Sequence, residues 1–239
     1  MNINLINCAC VIHGNLYDWT YVEKLYSMLC RNMSVPVILH VFTEEDRVVP
    51  EPFVKHVLDE WENINGPRKA WWYKMQLFNP KHFDGTLLYF DLDTVITGNL
   101  DWILDSCPQS FWAIRDYKYL WRNNWNGINS SVMYWHVPTF EYIWQEFNQG
   151  NPNEIAKRYP GDQDFITEKI HNSQLRFFDK ESIVSWRWQI KDGGLDMVSR
   201  SYRQPGSGSV LTPNASILVF HGKPKPHEVA DTLIQHYWQ

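Results

Sequence analysis

The chain has 239 residues, of which 44% are hydrophobic, and that is enough apolar material for one sizeable core. Its net charge of −5 argues against non-specific binding to nucleic acid, because polyanions attract basic surfaces. The four cysteines, at positions 8, 10, 30 and 107, are too few and too scattered for a disulfide framework, and they complete no cysteine–histidine zinc site. We therefore predict a single domain over residues 1–239 in a reducing, cytoplasmic compartment.

Neither a membrane span nor a leader peptide is predicted. No apolar run approaches the roughly 20 residues needed to cross a bilayer. Residues 1–12 are apolar but lack the basic start and the small-residue cleavage site of a secretory leader. The mature chain is therefore expected to be the whole chain.

The first elements predict a β–α–β unit. Residues 3–12 form a continuous apolar run typical of a buried parallel strand, and residues 13–15 are loop formers. Apolar positions then recur at helical spacing over residues 17–33, and residues 35–42 read as a second strand. Such a unit places the loop after its first strand at the carboxyl edge of a sheet, where open α/β folds bind ligands.

Helical and extended patterns continue to alternate along the rest of the chain, which favours an α/β fold. Helices are predicted over residues 68–78, after Pro138 and from about Gly161, and strands over residues 86–90, 111–114, 131–135 and 216–220. Residues 192–213 are rich in glycine, serine and proline and show no period, so we predict a long surface loop there.

The strand over residues 86–90 ends in Asp91-Leu92-Asp93. Two carboxylates at positions i and i+2, where a strand gives way to a loop, can approach one divalent cation that shares its remaining ligand positions with phosphate oxygens. A cation placed there would neutralise charge on a departing diphosphate. The alternative is that both aspartates are turn formers, with Asp93 capping a short helix.

Three further polar segments are candidates. Gly222 permits close approach of backbone to phosphate, Lys225 supplies a positive charge and His221 is an available imidazole, although this stretch also reads as a stiff, solvated linker. Asp162 stands at a predicted helix start, where it is either a functional carboxylate or the N-cap. Asn129 and its neighbours form either a plain turn or a polar pocket wall.

In their order along the chain, these motifs resemble those of the family 8 glycosyltransferases, which include glycogenin and bacterial lipopolysaccharide galactosyltransferases. The matching segments are Asp91-Leu92-Asp93 after an apolar strand, Asn129-Ser130-Ser131-Val132-Met133, Asp162-Gln163-Asp164, and Gly222 with Lys225-Pro226. The resemblance covers residues 3–226. It implies the GT-A fold, a Rossmann-like α/β domain with a central, mostly parallel sheet. It also implies a nucleotide-diphospho-sugar donor such as a UDP-hexose, use of Mn²⁺ or Mg²⁺, and transfer with retention at the sugar carbon.

The resemblance also implies roles for individual residues. Asp91 and Asp93 would bind the metal, and Asp93 would also lie near the ribose or the sugar hydroxyls. The loop with Cys10, Val11, His13 and Asn15 would hold the nucleobase and ribose, and Gly222 and Lys225 would bind the diphosphate. Lys74, Asn129 and the Asp162–Gln163 pair would face the donor sugar, and Leu92 and Ser130 are further expected donor contacts. Asp162 and Gln163, beside the reacting sugar carbon, and Asp93 are the expected catalytic residues.

One departure from the family pattern affects the metal site. The family places its metal-binding histidine three residues before the glycine, where this chain has Val219. His221, directly before Gly222, is the substitute that we predict as the third ligand. The departure suggests a divergent branch.

Two other classes of protein remain open. An apolar strand followed by Asp-x-Asp-Thr-Val also resembles the first motif of haloacid-dehalogenase-type phosphatases, in which Asp91 would be the nucleophile and Asp93 the acid/base. A non-catalytic carbohydrate-binding module would use some of the 13 tryptophans, although we assign most of those to packing. The acceptor of a transferase is left open among a glycan, a lipid-linked glycan, a protein and a modified nucleobase, as is the oligomeric state.

Overall fold

The computed structural model describes residues 5–61, 64 and 69–239, and two sheets organise this part of the chain. Its strands are, in chain order, β1 (Ile6–Val11), β2 (Val37–Thr43), β3 (Val54–Val57), β4 (Thr86–Phe90), β5 (Val95–Ile96), β6 (Phe111–Arg115), β7 (Ile128–His136), β8 (Leu175–Phe177), β9 (Ile183–Ser185) and β10 (Ile217–Val219). The central sheet has the order β3-β2-β1-β4-β7-β6-β8, and the smaller one has the order β5-β10-β9.

Helices connect and cover these strands. The α-helices are α1 (Thr20–Asn32), α2 (Lys69–Trp72), α3 (Glu141–Gln149), α4 (Pro152–Arg158), α5 (Asp162–Lys169) and α6 (Thr232–Tyr237). Short 3-10 helices occupy Tyr73–Phe78, Asp101–Asp105, Tyr117–Leu120, Val137–Phe140 and Pro226–Glu228, and a π-helical turn occupies Trp186–Ile190.

The central sheet is mostly parallel, as predicted. Strands β3, β2, β1 and β4 pair in parallel, and β8 pairs in parallel with β6. Strand β7 alone in this sheet runs antiparallel to its neighbours β4 and β6. The carboxyl ends of β1, β4 and β6 and the amino end of β7 therefore meet at one edge, and this edge carries the candidate site.

The predicted β–α–β opening is confirmed. Strand β1, helix α1 and strand β2 follow one another, and β1 pairs with β2 in parallel from Ile6↔Val37 to Val11↔Phe42. The predicted first strand begins at residue 3, which lies outside the described residues. Strand β4 has the predicted bounds, and β7 begins three residues earlier than predicted.

The predicted helix over residues 68–78 needs correction. Residue 68 lies outside the described part, helix α2 has only four residues, and the chain tightens into a 3-10 helix over Tyr73–Phe78. All six of those side chains are buried, because the segment is enclosed between one face of the sheet and helix α3. A 3-10 turn brings residues three apart onto one side, which matters for Lys74 below.

Several short elements escaped sequence analysis. Strands β3, β5, β8 and β9 have two to four residues each, too few to show a period of two. The predicted long loop is confirmed, because residues 191–216, all of them described, form only isolated bridges such as Leu195 with Tyr202.

Two hydrophobic clusters cover opposite faces of the central sheet. Alternate residues of a strand point to opposite faces, and in β4 the side chains of Leu88 and Phe90 join one cluster while those of Leu87 and Tyr89 join the other. The first cluster includes α1 and the smaller sheet, and the second includes α3 and the Tyr73–Phe78 segment. Both faces are thus buried, as a mostly parallel sheet requires.

Within the described ranges, none of the helices has the length and apolar character to cross a bilayer.

Candidate functional site

A cavity of about 520 Å³ opens at the edge where the strands converge. Its walls come from the segments after β1, β4, β6 and β10, from the start of β7, and from the helix starts at residues 70–74 and 160–164. The antiparallel pairing of β4 with β7 places the Asp91-Leu92-Asp93 motif beside the Asn129-Ser130-Ser131 motif. The Asp91 N–H donates to the Ser131 carbonyl at 2.8 Å. The motifs that are far apart in sequence thus line one cavity.

Asp91 lies on the cavity floor in an ion pair with Lys74. The Lys74 Nζ is 2.8 Å from Asp91 Oδ1, and the Tyr89 hydroxyl donates to the same oxygen at 2.6 Å. Burial opposes ionisation of Asp91, but the Lys74 charge and the hydrogen bonds from Lys74, Tyr89 and Ser131 outweigh it and lower the pKa of Asp91. Asp91 is therefore an anion in contact with the cavity, and its side chain is 23% exposed.

Lys74 also reaches Asp162, at the start of α5. The two charged groups are 3.6 Å apart, and Ser130 connects them: Lys74 donates to Ser130 Oγ at 3.1 Å, and that hydroxyl donates to Asp162 Oδ2 at 2.6 Å. The N-cap position of α5 belongs to Gly161, and within the described part of the chain no side chain caps the helix. The capping alternative for Asp162 is therefore wrong, because its carboxylate turns toward Lys74 and Ser130.

Asp93 belongs to a second ion pair. Lys225 Nζ lies 2.5 Å from Asp93 Oδ2, and the Tyr17 hydroxyl donates to the same oxygen at 3.0 Å. Burial and then the nearby Asp91 charge raise the pKa of Asp93, while Lys225 and Tyr17 oppose that rise. The side chains of Asp93 and Lys225 are only 8% and 15% exposed, so this contact joins two distant parts of the chain beneath the cavity surface.

His221 lines the cavity with an unused ring nitrogen. Its Nε2 is buried and has no hydrogen-bond partner within the described residues. The ring stacks on Trp188 at 4.6 Å between centroids and meets the edge of Tyr117 at 4.8 Å. Burial lowers the pKa of His221 to about 4, so the ring is neutral at neutral pH and its nitrogen can act as a ligand. Val219, by contrast, is buried in β10 within the core.

The predicted metal ligands fit a cation in chemistry but not as a finished cluster. No group of three or more histidine, cysteine, aspartate or glutamate side chains in the described ranges is arranged to hold a metal ion. Instead Asp91 and Asp93 each pair with a lysine. Two carboxylates and an imidazole nitrogen that has no hydrogen-bond partner among the described residues are nevertheless a donor set that suits Mn²⁺ or Mg²⁺ when the bound ligand supplies further oxygens.

The loop after β1 contributes part of what was predicted for it. Val11 and His13 line the cavity, and the His13 ring stacks on Tyr73 at 4.1 Å. Cys10 does not reach the lining, because its side chain is fully buried in the core. Asn15 is exposed and also lies outside the lining.

The other predicted residues line the cavity: Leu92, Asn129, Gln163 and Gly222. Gly222 has a φ of +64° and open space where a Cβ would stand, so a side chain would strain the backbone without a clash. Sequence analysis missed Tyr17 and Tyr89. Tyr89 had a signal, since it stands on β4 two residues before Asp91, whereas no pattern connects Tyr17 with Asp93, 76 residues away.

Comparison with known proteins supports the fold. No family model matches the chain, and no curated protein matches its sequence. The galactosyltransferase LgtC, solved with donor and acceptor sugar analogs, superposes with a TM-score of 0.65 at 10% identity over 98% of this chain and 97% of LgtC. The glycosyltransferase GlyE of Streptococcus pneumoniae TIGR4 gives 0.64 at 16% identity over 98% of this chain and 59% of GlyE. Mouse xyloside xylosyltransferase 1 superposes with a TM-score of 0.53 at 12% identity, over 92% of this chain and 98% of the xylosyltransferase.

These similarities extend over nearly the whole chain at low identity. This chain therefore has the GT-A fold of these glycosyltransferases, a mixed α/β fold with a mostly parallel central sheet, as the motifs predicted.

Proposed function

We propose that the chain is a glycosyltransferase that moves a sugar from a nucleotide-diphosphate sugar, a UDP-sugar in the first instance, to an acceptor. The observation that carries the proposal is the convergence of Asp91, Asp93, Lys74 and Lys225 on one cavity at the carboxyl edge of the sheet. Paired carboxylates and lysines are what a diphosphate with a divalent cation needs. The fold shared with known glycosyltransferases supports this choice.

In this proposal Lys225 and Gly222 bind the diphosphate. Lys225 supplies a positive charge whose value rises as negative charge develops on the leaving group. Gly222 offers a backbone without a side chain, so a phosphate can approach it closely. The cation, Mn²⁺ by preference, would be held by Asp91, Asp93 and His221 and would supply electrostatic neutralisation of the diphosphate.

Lys74, Ser130, Asn129 and the Asp162–Gln163 pair then face the donor sugar. We propose transfer with retention. The bond from the sugar carbon to the phosphate oxygen breaks, the acceptor oxygen forms its bond on the same face, and the acceptor proton passes to the departing phosphate. Transfer with retention by this route requires no protein base. Inversion needs a base that deprotonates the acceptor on the face opposite the leaving group. The Asp162 carboxylate stabilises the positive charge that develops on the sugar.

The proposal is tested by nucleotide binding and donor breakdown. UDP with Mn²⁺ should raise the Tm of the protein, and one member of a panel of UDP- and other nucleotide sugars should be hydrolysed slowly in the absence of acceptor. Loss of both effects in excess chelator is expected. If no nucleotide sugar is bound or broken down, the proposed function is wrong.

Retention and the role of Asp162 need a separate test. NMR of the product formed from an α-linked donor should show an α linkage, and a β-linked product would overturn retention. Asp162→Asn keeps the size of the side chain but removes its charge, so it should slow transfer about 10²-fold with little change in donor affinity. Unchanged rate and affinity would show that Asp162 serves the structure alone.

The two alternative classes have less support. In the phosphatase interpretation the Asp-x-Asp motif follows the first strand of the fold, whereas here it follows β4. A lectin would have no need for Asp91, Asp93 and Lys225 together. UDP with Mn²⁺ should not stabilise a member of either class.

We also propose that these residues act within a single domain and in the cytoplasm. Both hydrophobic clusters share one central sheet, which supports a single folding unit. Exposed Cys30 and Cys107 suit a reducing compartment.

A further inference from the structure

Two neighbouring tryptophans in α2 have opposite environments. Trp72 is 1% exposed and stacks on Phe147 at 5.4 Å between ring centroids, within the core. Trp71 is 46% exposed and lines the cavity. Since Trp72 anchors α2 in the core, the core also holds the neighbouring Trp71 at the cavity wall.

Trp71 lies beside the residues that face the donor sugar. It precedes Lys74 by three residues, a spacing that brings the two side chains to the same side of a helical turn. Lys74 contacts Asp91 and Asp162 at the reacting end of the cavity. The indole also packs over Gly161, since a Cβ at that glycine would meet the Trp71 ring at 3.7 Å. The Trp71 indole therefore lies against Gly161, the residue directly before Asp162.

Polar groups line the cavity near this surface. Gln163 and Asp164 follow Asp162 on the first turn of α5, and both belong to the lining. Lys118 also lines the cavity, but its ammonium pairs with Asp116 at 3.0 Å rather than with Asp164. The carboxylate of Asp164 and the amide of Gln163 are thus placed to accept hydrogen bonds from neutral hydroxyl groups.

An exposed aromatic face next to hydroxyl acceptors matches the chemistry of a pyranose ring. The C–H face of such a ring is apolar and stacks on an aromatic surface, while its hydroxyl edge needs hydrogen-bond partners. Among the described residues at this end of the cavity, Asp162 and Asp164 carry negative charge and Lys118 is paired with Asp116, so a phosphorylated or otherwise anionic group would be repelled there. A protein segment would gain little from a single ring flanked by two carboxylates.

We propose that Trp71 is the stacking platform for the acceptor, and that the acceptor is a neutral carbohydrate whose terminal pyranose ring lies on the indole with its hydroxyls toward Gln163 and Asp164. This inference rests on the proposed function, because it treats the Asp162 end of the cavity as the place of transfer. It selects a glycan among the acceptor classes that the sequence left open.

The test uses the full chain labelled with 5-fluorotryptophan and the methyl glycopyranosides of galactose, glucose and N-acetylglucosamine as probes. Fluorine NMR resolves the tryptophans, and Trp71→Phe identifies the signal of Trp71 by its loss. At least one probe should shift that signal, in the presence or absence of UDP with Mn²⁺. If none of the probes shifts the Trp71 signal under either condition, the inference is overturned.

Affinities from saturation-transfer NMR provide the matched comparison. Trp71→Ala should weaken binding of the probe roughly five- to tenfold, and Trp71→Phe, which keeps an aromatic face, should retain most of it. Trp121→Ala removes an indole that is 38% exposed but lies outside the cavity lining, so it should leave probe binding unchanged. Equal affinity in wild type and Trp71→Ala would contradict the proposal.

Failure of this inference can be told apart from failure of the proposed function. The stabilisation by UDP with Mn²⁺ reports on the donor site and should be the same in wild type and Trp71→Ala. Stabilisation by UDP without any shift at Trp71 would leave a transferase whose acceptor does not stack there. A shift at Trp71 without UDP binding would instead identify a sugar-binding protein and overturn transfer.

Discussion

Each carboxylate at the floor of the cavity is matched by a lysine from a distant part of the chain. Asp91 pairs with Lys74, and Asp93 pairs with Lys225, 132 residues further on. Such buried pairs contribute little net stability, because the desolvation of two charges offsets their attraction. In the proposed function, their arrangement would keep charged groups in place for a diphosphate and its divalent cation.

Asp93→Asn tests the division between function and stability. The change is nearly isosteric, and Lys225 is long enough to turn its charge toward solvent. The free energy of unfolding should therefore fall by only about 1–2 kcal/mol. Donor breakdown should fall at least about 10²-fold, since a carboxylate is removed from the diphosphate site. Thermal unfolding and hydrolysis of the donor measure the two effects. A collapse of Tm would mark Asp93 as a structural residue.

Lys225→Met tests whether the lysine competes with the cation for Asp93. Without the ammonium group, Asp93 is free for a divalent ion, so Mn²⁺ alone should bind more tightly to the variant than to the wild type. UDP should bind at least about tenfold more weakly, because charge-assisted hydrogen bonds to the diphosphate are lost. Electron paramagnetic resonance of free Mn²⁺ and calorimetry with UDP measure these opposite changes. Weaker binding of Mn²⁺ alone would exclude the competition.

The residues found by sequence and those missed differ in one physical respect. Asp91 and Asp93 were predicted because one strand and one motif suffice to define them. The hydrogen bonds from Ser130 to Asp162 and from Tyr17 to Asp93 depend on how separate segments pack. The hydrophobic periodicity of the sequence carries no such information. The core position of Cys10 was missed for the same reason, since the resemblance assigned a loop and not a side-chain direction.

Strands β2 and β3 meet through a pair of histidines. His40 Nδ1 and His56 Nε2 are 2.8 Å apart, and the other His40 nitrogen lies 3.1 Å from the Asn7 side chain. Burial and the neighbouring His56 lower the pKa of His40 from 6.5 to about 4, and burial lowers that of His56. The contact between the two rings, which adds to the backbone pairing of β2 with β3, is therefore made by neutral histidines.

Acidification should weaken this contact. As the pH falls below 6.5, His40 is protonated in the unfolded chain, whereas in the folded protein it is protonated only near pH 4. The free energy of unfolding therefore decreases as the pH falls from 6.5 to about 4. We expect a loss of about 1–2 kcal/mol from His40 between these limits. Urea unfolding at several pH values should show a smaller loss in His40→Gln, which does not titrate. Parallel pH dependences in the two proteins would contradict this assignment.

Short and tightly packed elements limited what the sequence could predict. The helical period over residues 20–32 and the apolar run over 86–90 were long enough to define α1 and β4. Strands β5 and β9 have two and three residues, and they exist because β10 lies between them and pairs with both. Pairing partners, not local propensity, create such strands.

Over the whole chain, the aromatic residues follow from the two-sided burial of the central sheet. Trp72, Trp135 and Trp186 are fully buried, consistent with the assignment of most tryptophans to packing. Trp71 and Trp188 instead stand at the cavity or against a residue that lines it. The alternation of elements and the order of the motifs in this chain were enough to predict the fold, which the chain shares with proteins only 10% to 16% identical to it.

The pairing of β5 with β10 joins, through the backbone, the two segments that carry the Asp93–Lys225 ion pair. Strand β5 begins two residues after Asp93, β10 ends two residues before His221, and the Thr97 amide donates to the Ser216 carbonyl at 2.8 Å. A ligand that contacts both Asp93 and Lys225 therefore opposes separation of these strands. Amide hydrogen exchange at Thr97 should slow with nucleotide by up to the factor 1 + [L]/Kd, while exchange at Leu58 beside β3 stays unchanged.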